Sequence, residues 1–228
     1  MKEVILILAE AGLELVPKEI CNHPSVVNNA KRRGKKPQEV LLDVSIHYPA
    51  MKKLPFREKR GRPDITHISL LLALDSILNK KGMLSVYVHT FNDFVIIVDK
   101  KTRIPRNYNR FVGLIEQLFK KGKVPPSNNK PLLELRKQTL KDLLRELSPY
   151  PIVLFDEGGV REKIKDFINR IISYPRPAFI IGAFQSGSWK TNIKEYANYI
   201  ISIYEGRLST WTVLSTLIHC IEDLHGLI

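Results

Sequence analysis

Three short apolar runs near the end of the chain constrain its architecture more than any other feature. Ile152 to Phe155, Ala178 to Ile181 and Tyr199 to Ile203 carry almost no polar residues and are too short to be buried helices. A strand that does not alternate is covered on both faces, as in a parallel sheet. Arg161 to Ser173 and Thr210 to Leu224 have helical spacing. The order strand, helix, strand, strand, helix therefore predicts an α/β fold, a parallel sheet flanked by helices. Val4 to Ala9 reads as a further buried strand, and Val40 to Ser45 as another, broken only by Asp43.

The middle of the chain is mixed. Pro24, Gly34, Pro37, Pro49, Pro55, Gly61 and Pro63 punctuate what reads as long basic loops. Asp64 is placed to cap a helix from Ile65 to Leu78, apolar on nearly all sides and so expected to be internal, ended by Asn79 and Gly82. Leu84 to Thr90 and Phe94 to Val98 flank Asn92-Asp93 and predict a hairpin. Tyr108 to Lys121 and Leu140 to Leu147 read as helices, and Pro125 to Asn129 as a loop joining two regions. The longest apolar runs fall far short of the ~20 residues of a membrane span. Glu3 and Glu10 bracket the first run, which argues against a secretory leader, so a cytoplasmic chain without membrane contact is expected.

Each C-terminal strand runs into a loop of small residues: Asp156-Glu157-Gly158-Gly159, then Gly182 to Ser188, then Tyr204 to Ser209. Loops at the carboxyl ends of adjacent parallel strands make a ligand crevice. None contains G-x-G-x-x-G, and Gly187-Ser188-Trp189-Lys190-Thr191 lacks the spacing of a phosphate-binding loop. Main-chain groups from such loops suit an adenine and an amino-acid tail, with Ile203 and Leu208 as apolar walls. Taken singly, each glycine is equally a turn residue. Cys21 and Cys220 lie near opposite ends of the chain, and the six histidines show no ligand spacing, so no metal centre is expected.

Charge divides the chain in two. The net charge is +13, yet from Pro151 onward eight basic residues balance eight acids. The excess is concentrated in Lys31 to Arg62, with 11 basic residues against three acids, and in Asp99 to Lys130, with nine against two. A scattered lysine surface would only aid solubility. Arginine beside glycine and proline, as in Lys59-Arg60-Gly61-Arg62-Pro63, instead favours phosphate and base edges, hence nucleic acid. The expected organisation is one domain over 1–228, with basic RNA-binding extensions at about 22–63 and 99–130 and a cofactor-loop region at 151–228.

Three segments also carry a family resemblance: Gly61-Arg62-Pro63-Asp64-Ile65-Thr66-His67, Thr102-Arg103-Ile104-Pro105-Arg106 with Asn109-Arg110-Phe111, and Ile201-Ser202-Ile203. With them the chain resembles the SPOUT-class methyltransferases that act on N1 of a pseudouridine in small-subunit ribosomal RNA. The resemblance implies a trefoil-knotted domain, S-adenosyl-L-methionine as methyl donor, a homodimer, small-subunit rRNA as substrate and a role in small-subunit assembly that could involve ribosomal proteins. A knot violates the usual rule against threaded connections, so no pattern reading would predict it.

Residue by residue, the resemblance implies that Arg62 contacts RNA while Asp64 orients its guanidinium, and that Arg103, Arg106 and Arg110 form a second RNA-contacting set. It also implies cofactor contacts from Gly182, Gly187, Ile203, Tyr204, Glu205, Gly206, Arg207 and Leu208. The wording Glu205-Gly206-Arg207 departs from the commonest form of that loop. Plainer roles compete: a helix cap for Asp64, and a solvated helix face for Arg106 and Arg110. Phe91, Tyr108 and Trp189 are candidates to stack on an extruded base, or simply packing residues. Trp211, Val213, Leu214 and Ile218 would serve either a dimer contact or the core. The group that takes the substrate proton is not identified. Two other functions fit the same residues: a non-catalytic RNA-binding assembly factor, and a SPOUT methyltransferase of transfer RNA.

Overall fold

Strand β1 (Val4–Ala11) is buried along its whole length, because successive side chains feed opposite faces of a covered sheet. Val4, Leu6 and Leu8 enter one apolar layer, and Ile5, Ile7 and Ala9 enter the other. The computed structural model describes residues 1–127 and 130–228. After β1 come α1 (Pro24–Arg32), α2 (Val44–Met51), α3 (Pro63–Asp75), α4 (Ile77–Lys80), β2 (Leu84–Thr90) and β3 (Phe94–Val98). Then follow α5 (Tyr108–Lys121), β4 (Lys123–Val124), β5 (Leu133–Lys137) and α6 (Leu140–Leu147). The chain closes with β6 (Ile152–Arg161), α7 (Ile164–Ile171), β7 (Ala178–Gly182), β8 (Tyr199–Ser202) and α8 (Thr210–Leu224).

Among the described residues, eight strands form one sheet in the order β4-β5-β3-β2-β1-β7-β6-β8. The run from β2 to β8 is parallel, and β3, β5 and β4 extend it antiparallel at one edge. Helices α3, α5, α7 and α8 cover one face through residues such as Leu70, Phe111, Phe167 and Leu214. Helix α6 covers the other with Leu140, Leu143, Leu144 and Leu147. Each fully buried side chain of this kind stabilises the fold by about 1.5–3 kcal/mol. A third, smaller core of Val26, Ala30, Val40, Leu42, Met51 and Leu54 holds α1 and α2 beside the main body. Among the described residues, no helix is long and apolar enough to cross a membrane.

Several local expectations change. Val40 to Ser45 is not a strand: Leu41 makes one isolated bridge to Leu15, and Asp43 then caps α2 by accepting from the Ser45 N–H at 2.8 Å. A capping carboxylate outweighs a short apolar run, whose side chains serve as a buried connector. The stretch before it is a loop only in part: Pro24 sits in the first turn of α1, which His23 caps, and Arg33 to Lys36 leave the helix as turn and loop. The helix after Arg62 breaks at Ser76, which starts α4, and it is not internal: Ile68 and Leu72 are exposed on its outer face. Strand β6 continues through Asp156–Gly159 to Arg161, so α7 begins later than its spacing suggests. Residues 125–127 lie between β4 and β5 in one sheet, and so join no separate regions; Asn128 and Asn129 fall outside the described residues.

Candidate active site

Four parallel strands are in register beside one another, β6 up to the irregularity that follows Phe155. Ala9 pairs with Gly182, and Phe155 lies opposite both Ile181 and Ile201. Segments that leave these strands enclose a cleft of about 820 Å³. That size suits one small molecule. Its apolar walls include Ile181, Ile203, Leu208 and Val213, and its rim is built from Asp156 to Gly158, Phe184 to Trp189 and Gly206 to Arg207. Of the predicted cofactor residues, Gly182, Gly187, Ile203, Tyr204, Gly206, Arg207 and Leu208 line the cleft. Glu205 does not line it and instead pairs with Arg161 at 3.1 Å on the surface.

Several ionised side chains line the wall, among them Asp156, Glu157, Lys194 and Arg207. Asp156 accepts from the Trp189 indole N–H at 2.6 Å, the Gly158 N–H at 2.9 Å and the Lys194 ammonium at 3.2 Å. Burial works to raise its pKa, but these hydrogen bonds outweigh burial and hold the carboxyl below its usual range. Trp189 is thereby committed to the cleft wall, edge-on to Phe184 at 5.2 Å. An apolar slot with main-chain groups and a neighbouring carboxylate fits a nucleoside that carries a cationic amino-acid tail. A sulfonium cofactor therefore fits these residues.

Arg62 stands beside this cleft. Its Nε and Nη2 donate to the two oxygens of Asp64 at 2.8 and 2.7 Å, and its Nη1 donates to Gln185 Oε1 at 2.7 Å. A guanidinium has five N–H groups, so two remain to meet a substrate. Asp64 thus holds the fork from the first turn of α3, and it makes no side-chain cap there, because the cap position belongs to Arg62 itself. The Asp64 bond, set against partial burial, raises the Arg62 pKa further.

The second arginine set lies close by. The His67 ring stacks on Phe111 at 4.4 Å and its Nε2 meets the Pro105 carbonyl at 2.7 Å, which ties the 103–106 segment to α3. Tyr108 donates to Asp43 at 2.5 Å, and the charges of Arg62 and Asp64 both act on its hydroxyl. Burial, then this bond, raises its pKa, so Tyr108 stays a neutral donor. Arg103, Arg106 and Arg110 are exposed. No ion pair occupies their guanidinium groups among the described residues.

Other basic residues of the same stretches serve the fold. Arg60 is buried and forks onto Glu14 at 2.6 and 2.7 Å, while Lys59 is buried against Glu10. Glu116 of α5 ties down Arg33 and Lys35 and accepts the Leu41 N–H at 2.9 Å. In the run Lys59-Arg60-Gly61-Arg62, only Arg62 thus reaches the surface. Gly12 makes this packing possible: a Cβ there would lie 2.8 Å from the Lys59 carbonyl and 3.0 Å from the Arg62 nitrogen. Lys59 stands in the run expected to meet nucleic acid but is buried, Asp156 and Gln185 are named only as parts of the crevice loops, and sequence gives no site role to Glu10 and none to Asp43 as a cap. The available signal was Glu10 itself, an acid directly behind a fully apolar strand.

Phe91 is buried under exposed Phe56, so of the three stacking candidates only Trp189 lines the cleft. Val213, Leu214 and Ile218 are buried in the chain's own core, while Trp211 is half-buried.

Comparison with known proteins settles the lineage. Residues 6–222 match the family described as EMG1/NEP1 methyltransferase. The chain belongs to the EMG1/NEP1 methyltransferase family. It is 51% identical to the ribosomal RNA small subunit methyltransferase Nep1 of Staphylothermus marinus, over 100% of this chain and 99% of that protein. It is 46% identical to Nep1 of Pyrococcus furiosus, with 95% of each covered. A crystal structure of Archaeoglobus fulgidus Nep1 bound to S-adenosylhomocysteine superposes with a TM-score of 0.86 at 38% identity, covering 99% of this chain and 100% of that one. Both the α/β fold and the methyltransferase class expected from sequence agree with this membership.

Proposed function

We propose that the protein transfers a methyl group from S-adenosyl-L-methionine to N1 of a pseudouridine in small-subunit ribosomal RNA, as a factor in small-subunit assembly. The observation that carries this reading is the Arg62–Gln185 bond of 2.7 Å, which joins a partly exposed arginine to the wall of a nucleoside-sized cleft. Support comes from relatives named as small-subunit rRNA methyltransferases and from S-adenosylhomocysteine in the A. fulgidus structure.

When bound, the cofactor supplies an electrophilic methyl group on a positively charged sulfur. Backbone groups of the 182–188 and 204–208 loops would hold it, with Ile181, Ile203 and Leu208 against its apolar parts. The chain's own work is to position the target. Pseudouridine presents a ring N1–H that uridine lacks, and that proton leaves as the N1–methyl bond forms. Arg62 is partly exposed, and its two unused N–H groups are left to meet a phosphate or to steady negative charge on the ring carbonyls. Asp64 keeps that fork in one orientation, and so acts as a positioning residue. Arg103, Arg106 and Arg110 add phosphate contacts that carry no sequence information. The homodimer implied by the resemblance would cover apolar surface, such as Ile68 and Leu72 on α3.

Calorimetric titration with S-adenosyl-L-methionine tests the reading. Binding is expected in the full chain, to be lost in Gly182→Trp, with methyl transfer to a hairpin that carries pseudouridine. Tight, salt-dependent RNA binding without any cofactor binding would instead make the protein a non-catalytic assembly factor. Transfer only to tRNA would move the substrate.

A further inference from the structure

The most deeply buried charges in the molecule lie behind the cleft wall. Glu10 and Lys59 form an ion pair in which each side chain is 1% exposed. Such a pair is a weak source of stability, because desolvation of two charges offsets most of their attraction. Its remaining bonds show what else it holds. Glu10 accepts from the Lys190 N–H at 2.9 Å, the Thr191 N–H at 2.7 Å and the Thr191 hydroxyl at 2.8 Å. Lys59 donates to the Ser188 carbonyl at 2.6 Å and sets its ammonium 3.7 Å from the centre of the Phe184 ring.

Both partners therefore grip the 184–191 loop, whose opposite side is the cleft. Phe184, Ser188, Trp189 and Thr191 all line that cleft, whereas Glu10 and Lys59 do not. Along the chain, Lys59 is also the anchor of the segment that presents Arg62. Gly12 O accepts the Arg62 N–H at 3.1 Å, which fixes the same segment against the turn that follows Glu10. A ligand pressing on the loop thus meets, through one buried pair, the backbone that aims the RNA-facing arginine.

We infer that the Glu10–Lys59 pair couples the two binding events: filling the cleft fixes the 184–191 loop, the loop fixes Lys59, and Lys59 fixes the presentation of Arg62. Cofactor and RNA then each bind more tightly in the presence of the other, by the same factor. This inference rests on the proposed function, which puts a sulfonium nucleoside in the cleft and RNA at Arg62. Glu10 and Lys59 are positioning residues in this scheme. A purely structural pair would alter thermal stability and leave the coupling factor unchanged.

The test is a calorimetric titration of the full chain with S-adenosylhomocysteine, alone and with a saturating pseudouridine hairpin. The hairpin is expected to tighten cofactor binding by about tenfold in the unaltered chain. In Glu10→Gln and in Lys59→Met the ratio falls to within about twofold of one, a loss of nearly the whole coupling. Thr191→Val, which removes one bond to Glu10 and leaves the pair, gives an intermediate ratio and decides the matter if the first two variants do not fold. Gln185→Ala cuts the direct link between the cleft rim and Arg62 and so separates the two routes: whatever its effect on either affinity alone, the coupling ratio that remains is the part carried by the buried pair, expected to be most of it. The inference is overturned if both ligands bind the unaltered chain without affecting each other, if the ratio survives in the folded variants, or if Gln185→Ala alone abolishes it. Failure of the unaltered chain to bind either ligand would defeat the functional reading itself, and the inference with it.

Discussion

The cleft and the arginine surface meet at Gln185 yet are built on opposite plans. Around the cleft the chain is electrically balanced, and apolar walls such as Ile181, Ile203 and Leu208 stand beside polar and charged residues on loops that follow strands in register at Phe155, Ile181 and Ile201. On the arginine side the work is done by long side chains, and much of the positive charge is neutralised before any RNA arrives: Arg60 by Glu14, Arg33 and Lys35 by Glu116, Lys59 by Glu10. A small ligand of fixed shape is best met by backbone that cannot move, whereas a polyanion is met by a few cations left exposed. The difference teaches that the number of basic residues overstates the RNA surface, because cations buried in pairs with acids build the platform on which Arg62 is displayed.

Breaking each plan should have its own signature. The largest effect is expected from Gly182→Trp, since even a Cβ there would lie 2.9 Å from the Phe184 ring. Cofactor affinity, read by calorimetry, should fall by about 100-fold or more, while RNA binding in a filter assay is retained. Next comes the buried pair: Glu10→Gln or Lys59→Met alone should cost about 3–5 kcal/mol in denaturant unfolding, and the double variant clearly less than the sum. On the arginine side, Asp64→Ala should leave Arg62 charged but unaimed. Transfer per bound RNA should drop by about 10-fold, with little change in cofactor affinity.

Smaller effects sharpen the comparison. Replacing Arg103, Arg106 or Arg110 by alanine should reduce the slope of log affinity against log salt by about 0.7 for each single-strand phosphate that the substituted side chain had neutralised. The pH response comes from buried histidines. His89 accepts from the Glu10 N–H at 3.4 Å, and His47 from the Asp43 N–H at 3.0 Å; burial, first among the causes, lowers both pKa values from 6.5. The unfolded chain therefore binds more protons than the folded one just below pH 6.5, so stability is full above that pH and declines as pH falls. Melting temperatures from pH 7.5 to 5 should show this, and His89→Gln should flatten part of the decline.

How much of this was legible from sequence follows the same division. The helices Tyr108–Lys121, Leu140–Leu147 and Thr210–Leu224 and the small-residue loops at the strand ends are local patterns, and they stand in the structure where the spacing puts them. Asp43 shows where local reading fails: inside an apolar run it looks like a blemish in a strand, but it is a helix cap that also takes the Tyr108 hydroxyl. Helix α1 is hard to see because its residues PSVVNNAKR include Pro, Ser and two Asn, which also suit a loop, although Pro24 begins it. The Arg62–Asp64 fork spans two residues and follows from the family resemblance, whereas the Glu10–Lys59 pair spans 49 and neither resemblance nor spacing points to it. Nothing in periodicity distinguishes a lysine that will be caged by Phe184 and Ser188 from one that will face solvent.

The central claim is that cleft and arginine surface form one active site for methylation of pseudouridine N1. It is tested most directly by incubating the protein with isotope-labelled S-adenosyl-L-methionine and two small-subunit rRNA hairpins that differ only in carrying pseudouridine or uridine at one position, followed by mass spectrometry of the digested nucleosides. The account predicts labelled N1-methylpseudouridine from the first hairpin and no label in the second. Label on a ribose, on a ring carbon, or equally in both hairpins would contradict it.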